Sequence, residues 1–167
     1  MVAGVQGWAG PIPAAASGVA NGISDLSPLS AFTGLTQLGL RYNPVTDLSP
    51  LSELTRLSYL YLYDTLVADL SPISGLELRG LNVGRTAVRF EDLVSLPNFR
   101  GLDSHWVQGL GIHDIAPLAD LERVSVLGLE DNRIADLSPL SGVCCFSFLR
   151  LDNNLVADLR PLVDRRI

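Results

Sequence analysis

The chain has 167 residues, of which 47% are hydrophobic and 18% are charged. This length and composition fit one folded domain with its own core and argue against an intrinsically disordered chain. The formal net charge is −6. Because that charge repels phosphate groups, we expect neither nucleic acid nor a membrane surface as a partner. No apolar run reaches the roughly 18 residues that a membrane-spanning helix needs.

Residues 1–22 differ in composition from the rest of the chain. They are rich in alanine and glycine, contain Pro11 and Pro13, and carry no charged side chain. A secretory signal peptide begins with basic residues, and that basic start is missing, although Ala14, Ala15 and Ala16 could pass for a cleavage site. We therefore expect a degenerate first repeat or a linker over 1–22 and a cytoplasmic protein, with a secreted or surface location as the alternative.

The two cysteines, Cys144 and Cys145, are adjacent in the sequence. Disulfide geometry is hard to reach across one peptide bond, and the chain has no other cysteine for a metal site or a disulfide framework. We expect two reduced thiols in a reducing compartment. The alternative is a surface thiol that reacts or pairs between chains.

A repeated motif organises the rest of the chain. Copies of Asp-Leu-Ser-Pro begin at Asp25, Asp47, Asp69 and Asp136, with close variants at Asp114 and Asp158. Successive copies are 22 residues apart, except for one gap of 45 residues between positions 69 and 114. That gap corresponds to two 22-residue units plus one extra residue. A degenerate copy of the motif is then expected at 89–93.

Each unit also contains two apolar residues separated by one other residue, in phase with the first motif. These pairs are Leu38/Leu40, Leu60/Leu62, Leu81/Val83, Leu102/Ser104, Leu127/Leu129 and Leu149/Leu151, of which the third and fourth are weaker members. The alternation predicts a strand with one buried face. An asparagine or threonine, such as Asn43, follows three residues after most pairs, and we expect it to bond the backbone of the turn that leaves the strand.

The other half of each unit predicts a short helical segment. In the pattern Leu-Ser-Pro-Leu-x-x-Leu-x-x-Leu, we expect the serine to cap the segment, and the proline suits its first turn. A leucine at every third position suits a 3₁₀ or short α segment. One unit cannot bury its apolar side alone, whereas a stack of units shares a continuous core, so the sequence predicts a solenoid.

These motifs resemble the internalin-type leucine-rich repeat, a 22-residue bacterial class in which Leu-x-x-Leu-x-x-Leu-x-Leu-x-x-Asn precedes an Asp-Leu-x-Pro-Leu corner. The resemblance covers residues 23–167, about six to seven units. It implies an α/β fold: a right-handed horseshoe with a parallel β-sheet on the concave face and short 3₁₀ or α segments on the convex face. It also implies protein–protein recognition through the concave face. The chain departs from the family at its start, where no signal or cap is recognisable, and at 79–113, which is irregular.

Residues that flank the strand leucines point outward and predict one continuous surface across the sheet. On this surface we expect a protein partner to contact Arg41, Tyr59, Tyr61, Tyr63, Asn82, Asp103, His105, Trp106, Glu130, Phe148, Arg150 and Asp152.

Three tyrosines on one predicted strand, Tyr59, Tyr61 and Tyr63, stand out on this surface. Tyrosine is a favoured interface residue because it offers a large apolar area with a polar tip. Glycines that we expect to leave room beside the rings neighbour them at Gly39, Gly80 and Gly84. The alternative explanation is the ordinary strand propensity of tyrosine.

His105 and Trp106 lie in a unit, from Leu102 to Leu127, that is three residues longer than the standard 22. Insertions in a solenoid are expelled as loops, often on the binding side. Trp106 is then either an anchor for a ligand or a side chain that covers an irregular part of the core, and the sequence does not decide between the two.

No catalytic, metal or cofactor site is predicted. The aspartates of the repeated motif would stack at one corner, which suggests a cation site. However, an aspartate at a turn accepts a backbone N–H bond two residues on, and this explains its repetition. Asp103, Ser104 and His105 do not form a triad, because adjacent strand residues alternate faces. We therefore expect no enzyme and no cofactor.

The function we expect is a non-catalytic module that binds a protein partner on its concave face. The alternative is a ligand-sensing or regulatory segment of a larger signalling protein, such as a signalling ATPase. The last strand, at about 147–152, would present an unpaired edge. We therefore expect that the chain is a piece of a longer protein or that it associates end to end at high concentration.

Overall fold

The computed structural model describes residues 15–121 and 123–163. In these residues, seven parallel strands form one open sheet in which the strand order is the chain order. The strands are β1 (Ala15–Ser17), β2 (Gln37–Gly39), β3 (Tyr59–Tyr61), β4 (Gly80–Asn82), β5 (Ser104–Trp106), β6 (Val126–Gly128) and β7 (Phe148–Arg150). Each repeat thus adds one strand beside the previous one, and the predicted solenoid is confirmed.

The opposite side of the solenoid carries short helical segments. One is the α-helix α1 (Phe90–Val94), and the others are 3₁₀ segments at Ser27–Ala31, Ser49–Leu51, Ser71–Ile73, Phe99–Gly101, Ala116–Leu118, Ser138–Leu140 and Arg160–Leu162. The leucine at every third position matches the three-residue turn of a 3₁₀ helix. In the described part of the chain, no helical segment has the length and apolarity needed to traverse a bilayer.

An aspartate holds the corner before most of these 3₁₀ segments. Asp69 Oδ1 accepts a hydrogen bond from the Ser71 N–H at 2.8 Å, and the same bond recurs at five other copies of the motif. The N–H and hydroxyl of Ser71 lower the pKa of Asp69. The predicted turn role of the aspartates is therefore confirmed. The predicted serine cap is wrong, because Ser71 is already the first residue of its segment and Leu70 precedes it without a side-chain cap bond.

Thermal unfolding is expected to give the same midpoint in calcium and in a chelator. In the repeated aspartates, one carboxylate oxygen accepts a hydrogen bond from a backbone N–H, which accounts for the aspartate without a bound metal. In addition, the described residues contain no group of three or more His, Cys, Asp and Glu side chains suited to hold a metal ion. Melting curves recorded by circular dichroism would test this. A midpoint that rises with calcium concentration would contradict it, since a ligand that binds the folded state stabilises it by mass action.

The apolar residues of successive repeats pack into one continuous core. Leu60, at the centre of β3, has no exposed area. Asn132 is 6% exposed, and its Oδ1 accepts hydrogen bonds from the N–H groups of Leu110 and Ile112 at 3.1 and 3.0 Å. Its Nδ2 donates to the Leu129 carbonyl at 2.9 Å. Asn132 and its counterparts thus satisfy turn backbone groups that would otherwise be buried without partners, as predicted.

The fifth strand departs from the predicted register. Leu81 pairs with His105, so the centres of β3, β4 and β5 are Leu60, Leu81 and His105, and the intervening units are 21 and 24 residues long. The strand start predicted at Leu102 is therefore wrong, as is the predicted loop that would carry His105 and Trp106. The histidine at the strand centre interrupts the leucine pattern, and the nearest leucine, three residues earlier, gives the wrong phase. The extra residues lie before β5, in the unit that contains α1.

The structure describes the last part of the N-terminal segment, from residue 15 onward. β1 falls inside 1–22 and pairs with β2, whereas residues 1–14 lie outside the described part of the chain, so the boundary at residue 22 stays a prediction.

Cys144 is half-buried and Cys145 is exposed, and no disulfide joins them. Their Sγ atoms approach to 2.7 Å, with Cys145 in the left-handed region at φ 74°. The reduced state of the pair and the alternative of pairing between chains both stay predictions.

Candidate functional site

The concave face of the sheet presents three rows of side chains. Strand pairing aligns Gln37, Tyr59, Gly80, Ser104, Val126 and Phe148 in the first row, and Gly39, Tyr61, Asn82, Trp106, Gly128 and Arg150 in the second. Backbone hydrogen bonds just beyond the strands align Arg41, Tyr63, Gly84, Gln108, Glu130 and Asp152 in the third. Relative to the sequence prediction, only the members from the fifth unit change.

A groove of about 530 Å³, here called the central groove, crosses the middle of this face. It is lined by Arg41, Tyr42, Tyr59, Tyr61, Tyr63, Gly80, Asn82, Ser104, Trp106, Gln108 and Val126. β4 forms its floor, because Gly80 has no side chain and Asn82 is nearly buried. The tyrosines of β3 form one wall, and Trp106 and Gln108 of the fifth unit form the other.

The glycines of this face accommodate large side chains from neighbouring strands. A methyl group at Gly80 would lie 2.7 Å from Tyr59 Cδ1, and one at Gly128 would lie 2.5 Å from Trp106 Cε3. At Gly84 the methyl group would meet the side chain of Gln108 at 2.5 Å. The prediction that Gly80 and Gly84 leave open room beside the tyrosines is therefore wrong, because that room is filled. The glycines instead allow the rings of Tyr59 and Trp106 to pack against the backbone of the next strand, at Gly80 and Gly128.

Arg41 and Tyr61 form a stacked pair at one end of the central groove. The guanidinium carbon of Arg41 lies 4.5 Å from the centre of the Tyr61 ring, within the range of a cation–π contact. Gln37 Nε2 donates a hydrogen bond to the Tyr61 hydroxyl at 3.2 Å. On the far side of this pair lies a second groove of about 350 Å³, here called the N-terminal groove, lined by Ala16, Ser17, Val19, Gln37, Gly39, Arg41 and Tyr61. Arg41 and Tyr61 therefore border both grooves.

The other end of the concave face carries paired charges. Arg150 donates a hydrogen bond to Glu130 at 3.2 Å and lies 4.8 Å from the centre of the Phe148 ring. Phe148 also approaches the Trp106 ring, with 6.0 Å between the ring centres. The side chain of Glu130 is only 13% exposed, so little of its surface is available to a partner. Asp152 is exposed beside this group.

Two of the twelve predicted contact residues do not lie in these rows. His105 is 2% exposed and packs into the core, with its ring centre 4.8 Å from that of Phe99. Burial lowers the pKa of His105 to about 4, so the imidazole is neutral at neutral pH. Asp103 precedes β5, and its carbonyl accepts hydrogen bonds from the N–H groups of Ser125 and Val126. The prediction that both residues lie on the concave face is therefore wrong, because it follows from a strand phase that starts at Leu102 instead of Ser104.

The structure brings the other ten residues together on one face, and whether a partner contacts them stays a prediction. Six of them line the central groove: Arg41, Tyr59, Tyr61, Tyr63, Asn82 and Trp106. Sequence reasoning missed Tyr42, Ser104 and Gln108 as lining residues, and it placed Val126 in the first row without including it among the predicted contacts. A histidine aligned with the strand leucines, followed by Val107 as the second apolar residue, is the signal that would have placed Ser104 and Gln108 in their rows.

Comparison with known proteins supports the repeat assignment. The family model for two copies of leucine-rich repeats matches residues 33–76. Internalin C2 from Listeria monocytogenes is similar to this chain at 30% identity with a TM-score of 0.71, over 89% of this chain and 65% of that one. An internalin (inlF) from the same organism is similar at 27% identity with a TM-score of 0.57, over 85% of this chain and 55% of that one. The chain thus spans less than two thirds of each internalin.

A more distant similarity concerns the fold alone. The leucine-rich-repeat ectodomain of the receptor kinase GASSHO1/SCHENGEN3 from Arabidopsis thaliana, in complex with Casparian strip integrity factor 2, is 22% identical with a TM-score of 0.55. The match covers 78% of this chain and 17% of that one. No curated protein matches the chain significantly.

Proposed function

Because this chain is a leucine-rich-repeat solenoid of the internalin type, we propose that it is a non-catalytic module that binds a protein partner through the central groove. Leucine-rich-repeat proteins generally mediate protein–protein interactions. The proposal assigns that general role to a particular surface: the wall of tyrosines on β3, the floor on β4 and the wall that carries Trp106.

One observation carries the proposal, namely that all four tyrosines of the chain line the central groove. Strand propensity explains a tyrosine in a strand, but it does not explain why none occurs elsewhere. Tyr42 lies outside any strand, is 51% exposed and packs edge-on against Tyr63 with 5.4 Å between ring centres. Exposed aromatic rings held in fixed positions offer large contact area at a small cost in side-chain entropy, which is the chemistry of interface hot spots.

The concave shape supports the same assignment. The groove is lined by side chains of β3 on one side and of the fifth unit on the other, so a partner segment that enters it contacts both. Desolvated central positions of this kind contribute most of the binding energy in protein interfaces.

Selection of phage-displayed random peptides on the immobilised protein would test this function. The wild type is expected to enrich peptides that a Tyr59→Ala/Tyr61→Ala/Tyr63→Ala variant does not retain. A loss of affinity of about tenfold or more for the selected peptides is expected, because hot-spot aromatic residues are removed. A matched control on the convex side, Glu53→Ala/Thr55→Ala/Arg56→Ala, replaces three exposed residues and is expected to leave affinity unchanged.

A second variant distinguishes loss of binding contacts from loss of the folded structure. Gly128→Ala keeps every groove side chain, but its methyl group displaces the Trp106 ring from its place on β6. It is expected to weaken the same peptides while the circular dichroism spectrum and melting cooperativity are retained. Equal binding by the wild type, the tyrosine variant and the convex control would contradict the proposal, as would the absence of any enriched peptide.

A further inference from the structure

Arg41 differs from the other two arginines that contact rings of the concave face. Arg85 lies 5.8 Å from the centre of the Tyr63 ring and is paired with Asp131 at 3.0 Å, while Arg150 is paired with Glu130 at 3.2 Å. Among the described residues, no carboxylate lies within 4.0 Å of the Arg41 guanidinium, and its Nε has no hydrogen-bond partner. Arg41 is half-buried and is held in place by the Tyr61 ring.

A stacked and unpaired guanidinium is well prepared to bind a carboxylate. Stacking fixes the plane of the guanidinium and so reduces the side-chain entropy that is lost when a ligand binds. Its N–H groups can then form paired, charge-assisted hydrogen bonds with the two oxygens of a carboxylate. The chain as a whole has a net charge of −6, so Arg41 provides a local attraction for an acidic group that the net charge otherwise repels.

The two grooves indicate how the carboxylate is presented. They lie on opposite sides of the Arg41–Tyr61 pair, so a segment that occupies both must pass over the pair and continue. This arrangement fits an acidic side chain within a segment better than the carboxylate at a chain end. Both grooves have apolar side chains in their lining, with Tyr59 and Trp106 in the central groove and the exposed Val19 in the N-terminal groove.

We infer that Arg41 is the anchor for an aspartate or glutamate side chain of an extended partner segment, which places apolar side chains in the grooves on either side. This inference rests on the proposed function and specifies its partner. Neighbouring strands are about 4.8 Å apart and an extended residue spans about 3.3 Å. The groove floor at β4 lies two strands from β2, so the central apolar residue is separated from the acidic residue by about three positions.

The phage selection described above tests this specification by the composition of its products. Peptides enriched on the wild type are expected to share an acidic residue flanked by apolar ones. Enriched peptides without that acidic residue would overturn the inference and leave the binding function intact. Failure to enrich any peptide would overturn the function itself, so the two failures are distinguishable.

A double-mutant cycle on one selected peptide then identifies the contact. Arg41→Gln, and separately the change of the peptide's acidic residue to its amide, are each expected to lower affinity about tenfold or more. The two changes together are expected to cost no more than either alone, because both remove the same pair. Arg56→Gln replaces an exposed arginine outside both grooves and serves as the matched control.

Two further affinity measurements identify the source of the carboxylate and the role of stacking. Amidation of the peptide C-terminus is expected to have no effect, and a loss that follows amidation instead of the side-chain change would overturn the assignment to an internal acidic residue. Arg41→Lys is expected to recover only part of the affinity, because lysine keeps the charge but lacks the planar fork. Additive losses in the cycle would show that Arg41 and the acidic residue do not touch, which would also overturn the inference.

Discussion

The His105→Leu variant is expected to be more stable than the wild type, and the difference is expected to grow as the pH falls from 7 to 4.5. Leucine is the residue at the centre of five other strands, and it suits this apolar position. Burial lowers the pKa of His105 to about 4, compared with 6.5 for an ordinary histidine. The unfolded chain therefore binds a proton at His105 between these two values, whereas the folded chain does not.

The sign of the effect follows from proton linkage. When the unfolded state binds more protons, stability rises with pH. The wild type therefore has its full stability above about pH 6.5 and loses it progressively as the pH falls towards 4. One pKa unit corresponds to 1.36 kcal/mol, so the loss between pH 7 and pH 4.5 amounts to about 2–3 kcal/mol. The leucine variant has no such group at this position and lacks this part of the loss.

Urea titrations of both proteins at a series of pH values would measure the difference. Aspartates with lowered pKa values, such as Asp69, also reduce stability in acid, but they are present in both proteins and cancel in the comparison. His113→Gln is the matched control, because His113 is the other histidine of the chain and its side chain is exposed. Parallel stability curves for the wild type and His105→Leu would show that His105 is not a buried neutral residue.

Leu60→Ala is expected to lower the free energy of unfolding by about 2–5 kcal/mol, because it leaves a cavity in the shared core. Leu60 has no exposed area and lies between the centres of β2 and β4. The sequence pattern predicts an equal place in the core for Leu149. In the structure Leu149 is only half-buried, so Leu149→Ala is expected to cost clearly less.

Urea titrations at neutral pH would rank the substitutions. Arg56→Ala replaces an exposed side chain and is expected to change stability by less than about 0.5 kcal/mol. Similar losses for Leu60, Leu149 and Arg56 would contradict the register of the sheet. A loss at Leu149 as large as that at Leu60 would show that the seventh repeat is covered as completely as the third.

The sequence alone determined the repeat and most of its internal structure. Leucines at fixed spacing, the Asp-Leu-Ser-Pro corner and the buried asparagines depend on interactions within one repeat or between equivalent positions of neighbours. Such interactions leave a periodic signal that can be counted. For the same reason the pattern placed Tyr59 and Tyr61 on one strand of the concave face, as the structure confirms, whereas Tyr63 lies just beyond the end of that strand.

The tertiary structure decided what the periodic signal does not contain. His105 occupies a leucine position, and its pairing with Leu81 establishes that its strand begins at Ser104. The space above Gly80 is filled by a side chain that lies 21 residues earlier. Within the described part of the chain, Arg41 has no acidic partner whereas Arg150 has one. These outcomes depend on which side chains of adjacent repeats meet and how far they reach. The sequence specifies the backbone frame that brings them together, but their mutual packing is settled only in three dimensions.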